Sequence, residues 1–259
     1  MRFMPPAKPR LGSPLAWTIV VLAGCIAPAC ALFWLGSGAV AAPLALVVGS
    51  IVALGLMGSG MIAAAVAGRL LIGIGLALFV GFAMLVLAGA LELSGVPDPI
   101  AAGLAMLVAS ISFAARGALF ARSAEDKGWW IAVSVFAGEA AMLVTASVAP
   151  GSLPDWLLAL LPAQWASAAM RTALGGAGTA LACSELLALA GTAAATLLVA
   201  RLWPRRWPYL IMFTTWLALS ALVWHRPAPP TPSSGDAAVV ADVSDPAPRA
   251  APAGDARRI

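Results

Sequence analysis

The chain has 259 residues, 62% of them hydrophobic and only 10% charged, where soluble domains carry about 25% charge. Fifteen basic and eleven acidic residues cannot cover so apolar a core in water. The apolar residues also come in runs of about twenty, the length that crosses a bilayer at ~1.5 Å per residue. A water-soluble fold is thereby excluded. The expected class is an all-α polytopic membrane protein with about seven transmembrane helices, six being the alternative.

Residues 1–14 read as a cytoplasmic N-terminal segment and 15–224 as the helical bundle. The first span is 15–36, introduced by Ser13-Pro14 as N-cap and first helical residue, with a kink expected at Pro28. Inside it, Leu22-Ala23-Gly24-Cys25 matches the sequence at which bacterial lipoprotein precursors are cleaved and acylated. The apolar run continues well past Cys25, which favours an uncleaved span. Cys25, Cys30 and Cys183 all lie in apolar segments and form no CxxC, so they are expected to be small packing residues.

Between 41 and 91 the only charge is Arg69, which marks a turn between spans at 43–66 and 70–91. The alternative is one helix broken earlier, at Gly55, Gly58 or Gly60. Glu92 to Pro99 is a loop, its prolines disfavouring helix. The fourth span, 100–120, carries Arg116 one turn from its end, free to snorkel to the interface. The charged stretch Arg122 to Lys127 follows, and then Trp129-Trp130 at headgroup level. The fifth span is 131–149, the sixth 180–202 and the seventh 209–224, with Trp203, Trp207, Trp216 and Trp224 as interfacial belts. Residues 225–259, rich in Pro, Ala, Ser and Asp, form a tail with too little apolar surface to fold alone.

The net charge of +4 is not gathered in a patch, which argues against nucleic acid and for topology signals. With a cytoplasmic N-terminus, Arg2, Lys8, Arg10, Arg69, Arg116, Arg122, Lys127, Arg201, Arg205 and Arg206 lie inside and only Arg171 and Arg226 outside. That asymmetry puts the C-terminal tail outside, which is periplasmic in the expected location, a bacterial inner membrane.

Two acids lie within spans. Glu139 is near the centre of the fifth and Glu185 within about 9 Å of the outer end of the sixth. Such groups face the bundle interior and need partners. If the two spans pack as antiparallel neighbours, a shared water bridges the carboxylates. They then serve either as a proton or cation relay or polar substrate patch, or as protonated groups hydrogen-bonded across helices. The single histidine, His225, excludes bis-histidine haem, HExxH zinc and His-rich di-metal sites within one chain. GxSxG, Walker A and intramembrane aspartates are absent. No catalytic, cofactor or metal site is expected, and no cofactor is implied. Small residues at spacing four (Gly60-Ala64-Gly68, Gly73-Ala77-Gly81, Ala101-Ala105-Ala109) should bring helices together within the chain.

Segment 153–174 is too polar and proline-broken for a span and too apolar for a free loop. Gln164, Ser167 and Arg171 share one face of a helix starting at Pro162, while Trp156, Leu160 and Trp165 lie elsewhere. An interfacial or re-entrant helical pair is the natural outcome, with Trp156, Gln164 and Arg171 as its candidate residues. Leu153-Pro154, Trp156-Leu157, Pro162 and Met170-Arg171 resemble the extracytoplasmic segment that precedes the last span of ABC-2-type permeases. Here two spans follow instead of one, and the C-terminus emerges on the opposite side. The resemblance implies a permease subunit working with a separate ATPase. The residues themselves lead to a multi-pass component without a catalytic site, in an accessory, assembly or scaffold role, with the bilayer and other membrane proteins as partners. The ABC-2-like subunit or a small transporter is the alternative.

Overall fold

The computed structural model describes residues 14–38, 44–93, 96, 98–149, 151–176, 183–202 and 207–225. Ser13, Trp203, the basic residues at positions 2, 8, 10, 205, 206 and 226, and the tail from 226 onward lie outside them, as does the side chain of Trp207. Every regular element among the described residues is helical. Among the described residues six helices are long and apolar enough to cross a membrane, and the protein is a multi-pass α-helical membrane protein.

Helix α1 (Pro14–Gly36) widens into a π turn at Leu22–Ile26, where the Ala27 N–H reaches back to the Leu22 carbonyl. Pro28 has no N–H to offer the Gly24 carbonyl four residues earlier, and the wide turn absorbs that missing bond. The Leu-Ala-Gly-Cys sequence is thus part of an unbroken helix whose Gly24 is buried. Helix α2 (44–67) is assembled from α-helix Leu44–Met57, a second π turn Gly58–Ile62 and α-helix Ala63–Ala67. It ends at Gly68, whose φ of +63° is left-handed, and Arg69 is extended before α3 (Leu70–Ala90) begins. The two-span division at Arg69 is what forms, and Gly58 and Gly60 widen the helix without ending it.

Helix α2 is the hub. Of its most apolar stretch 89% is buried inside the protein, against 28% for α1 and for α3. The small residues explain how three neighbours approach it. A Cβ on Gly24 would stand 2.7 Å from the Ser59 nitrogen, one on Gly73 would stand 2.5 Å from the Gly60 carbonyl oxygen, and one on Gly117 would overlap the Met61 carbonyl. Of the stripes at spacing four, Gly60, Ala64, Gly73 and Ala77 thus pack α2 against α3, while Gly117, outside the stripes, brings α4 (Pro99–Ser123) onto α2. A Cβ on Gly68 would meet no atom within 4 Å, and Ala101 packs with Ala173 further along the chain. Asp98 accepts the Ala101 N–H at 2.9 Å as the N-cap of α4, followed by Pro99 at the first helical position.

A 3₁₀ turn (Glu125–Lys127) leads to α5 (Gly128–Val148), where Trp129 and Trp130 stack at 4.3 Å. Then come two short helices, α6 (Asp155–Ala159) and α7 (Pro162–Leu174), followed by α8 (Cys183–Leu202) and α9 (Trp207–Trp224). The apolar part of α9, Leu210–Trp224, is shorter than the six long spans. It nevertheless runs antiparallel along α8: Met212 packs on Val199 and Ala200, Leu219 abuts Gly191, and Val223 and Trp224 reach the level of Glu185. Trp224 stands at the helix end. Trp216, expected in a belt, is instead midway along α9, half-buried beside Phe213 at 5.8 Å. Beyond its stacking on other elements, α4 is tied to α8 at the opposite end by Arg122, which donates to the Ala200 carbonyl, one of the terminal carbonyls a helix leaves unpaired.

Candidate functional site

Helix α7 does not lie on the surface of the bundle. Ala163, Trp165, Ala169 and Met170 are fully buried, and the helix packs on α2, α4 and α8. Its N-terminus sits at the level of mid-α5. There the Ala163 N–H donates at 3.0 Å to Oε2 of Glu139, while Arg116 Nη1 donates at 2.7 Å to Oε1. Leu161, at the N-cap, supplies no side-chain acceptor. The carboxylate of α5 therefore caps α7 from outside, at the end where the helix dipole is positive and N–H groups are unpaired. Arg116 is drawn inward by this pair and its guanidinium lies 5.1 Å over the ring of buried Phe113. The expectation that Arg116 snorkels outward is corrected. The electrostatic gain of a close pair with the carboxylate outweighs the ~10 Å climb to the end of α4. Nε and Nη2 of Arg116 are buried without hydrogen-bond partners.

Three further contacts fix the helical pair. The Trp165 indole N–H donates to the Ala159 carbonyl at 2.9 Å, pinning α6 to α7. The hydroxyls of Ser167 and Ser50 bond at 2.8 Å across α7 and α2. Next to them a Cβ on Gly49 would stand 2.7 Å from Arg171 Cγ, so the absence of a side chain there gives the aliphatic stem of Arg171 its place.

The outer face of this pair, with α8 and α9, borders an open cleft of about 670 Å³. Arg171, Gln164 and Thr172 enter it from α7, Asp155 from α6, Glu185 from the first turn of α8, and Trp224 from the end of α9. Glu185 is buried, accepts the Ser184 hydroxyl at 2.8 Å, and acts electrostatically on Arg171. Gln164 and Arg171 are half-buried, whereas Trp156 is 56% exposed on α6 outside the cleft lining. Glu139 and Glu185 do not come together. Helix α5 packs on α4, α2 and α7 and not along α8, so the conditional bridge between the two acids does not form. His225 is exposed at the end of α9, and the three cysteines are free. Among the described residues no group of three His, Cys, Asp or Glu is placed to hold a metal ion.

Sequence reasoning missed Arg116 as the partner of Glu139, although part of its signal was available: an acid at mid-span needs a partner, and the fourth span carries a cation. Gly49 and Asp155 carried no comparable signal. In comparison with known proteins, no family model, no curated protein and no solved structure matches the chain.

Proposed function

We propose that this multi-pass protein is a non-enzymatic component of a bacterial inner membrane, an accessory or scaffold protein whose working surface is the cleft between α7, α8 and α9. The observation that carries this reading is the way the cleft is built. Its floor is a helix halted inside the bundle and held there by the Glu139–Arg116 pair. Its wall brings a cation and carboxylates together at one end of the spans. Both carboxylate oxygens of Glu139 are engaged, which suits a structural lock better than a residue that must exchange protons. On the charge asymmetry of the sequence, the cleft opens on the periplasmic side together with the end of α9.

A second reading, an ABC-2-like permease subunit or small transporter, draws on the resemblance of 153–174. It also draws on the halted helix, since broken helices hold substrates in many transporters. Against an ATPase-coupled subunit, the α2–α3 connection is only Gly68-Arg69, too short for a docking element. Affinity purification from native membranes separates the two. The component reading expects a discrete membrane-protein complex that Arg171→Gln or Glu185→Gln weakens, and no solute flux in proteoliposomes. Co-purification of an ATPase with nucleotide-dependent flux would overturn it.

A further inference from the structure

The cleft has features of a headgroup pocket. Val223 and Trp224, the latter 47% exposed, border it from the last turn of α9, and on α6 Trp156 is exposed next to the lining residue Asp155. Aromatic side chains at the ends of apolar spans mark the headgroup level. Within the cleft Arg171 supplies one positive charge and Glu185 and Asp155 two carboxylates, beside apolar Leu158 and Trp165. A guanidinium matches phosphate oxygens bidentately. Carboxylates accept N–H bonds from a primary ammonium, which has three donors, and a quaternary ammonium offers none. An excess of carboxylate also disfavours headgroups that carry only negative charge. A volume of about 670 Å³ lies within the ~300–1,000 Å³ range of small-molecule pockets.

We propose that the cleft binds a zwitterionic phospholipid bearing a primary ammonium, of the phosphatidylethanolamine type, with the phosphate on Arg171, the ammonium between Glu185 and Asp155, and the acyl chains leaving along α9. This rests on the cleft being the working surface and names what occupies it.

The test uses the full chain, purified in detergent and delipidated. It is titrated with dioleoyl phosphatidylethanolamine, phosphatidylcholine and phosphatidylglycerol, and bound lipid is counted by native mass spectrometry. The expected result is a preference of about tenfold for phosphatidylethanolamine over either other lipid. Arg171→Gln and Glu185→Gln each abolish it in protein that still elutes as the wild type does. Asp155→Asn, at an exposed position on α6, weakens the preference even if a buried-site variant fails to fold. Equal retention of the three lipids, or an unaltered preference in Arg171→Gln and Asp155→Asn, overturns the proposal. Soluble O-phosphoethanolamine displacing the lipid at the lipid's own concentration overturns the lipid as source in favour of the free headgroup. If the variants lose the co-purifying complex while the wild type shows no lipid preference, the lipid proposal falls and the component reading stands. Nucleotide-dependent solute flux alongside intact lipid selectivity overturns the component reading and supports the lipid site.

Discussion

Glu139 and Arg116 meet at 2.7 Å from two different helices, and the second oxygen of the same carboxylate closes the N-terminus of a third. One side chain thus joins α4, α5 and α7 inside the apolar interior. Removing either partner strands a charge where water is scarce, and breaking such a pair costs about 3–5 kcal/mol.

Glu139→Leu should accordingly lower stability by about that amount, and Glu139→Gln by less, because the amide oxygen still accepts from Ala163. The double variant Arg116→Leu/Glu139→Leu should recover much of the loss, since a buried pair and its apolar replacement are often close in energy. A double-mutant cycle on unfolding in mixed micelles measures the coupling. Additive single and double effects would mean that the pair contributes nothing to the bundle.

Close packing around α2 makes a second prediction. Gly117→Ala and Gly73→Ala drive a new methyl into the Met61 and Gly60 carbonyls, and overpacking of this kind costs about 1–3 kcal/mol. Gly75→Ala and Gly89→Ala meet no atom within 4 Å and should leave the melting temperature unchanged or slightly raised. A melt in detergent micelles compares the four, and equal effects at the contacting and open positions would contradict the packing.

The course of α9 along α8 puts His225 at the same end of the bundle as Ser152, with Arg69 and Lys127 at the other. In a background lacking the native cysteines, His225→Cys and Ser152→Cys should react with a membrane-impermeant maleimide in intact cells. Arg69→Cys and Lys127→Cys should react only after the cells are opened. Labelling of His225→Cys only after lysis would remove the seventh crossing, and an active C-terminal alkaline phosphatase fusion would support it.

Span positions were legible because each rests on a local signal. Arg69 interrupts the long apolar run, Pro99 and Pro162 open helices, and the starts of α3, α4 and α7 fall within a residue of the expected ones. Arg116 was misplaced for a different reason. Whether an arginine near a helix end turns outward or inward depends on a partner 23 residues away, and sequence spacing within one helix carries no information about it. The cleft was half legible: Gln164 and Arg171 were singled out from one helical face, but Asp155, Glu185 and Trp224 join them only through the packing of α6, α8 and α9. The pairing of Glu139 with Glu185 failed because it assumed that consecutive long spans are neighbours. Helix α7 takes that place beside both α5 and α8.

Trp165 tests whether the short helical pair is held locally or only by the bundle as a whole. Its ring is fully buried and its indole N–H is the side-chain bond tying α7 back to the Ala159 carbonyl at the end of α6. Trp165→Phe keeps most of the apolar volume and deletes that donor, leaving a buried carbonyl unpaired at a cost of about 1–3 kcal/mol. Helix α6 has only five residues, too short to persist without such a tie. Hydrogen exchange of the full chain in detergent should therefore show faster exchange in residues 155–161, with the amides of α2 and α4 unchanged. Uniformly faster exchange would mean that Trp165 supports the whole bundle, and unchanged exchange at 155–161 would show that the indole bond does not hold α6 in place.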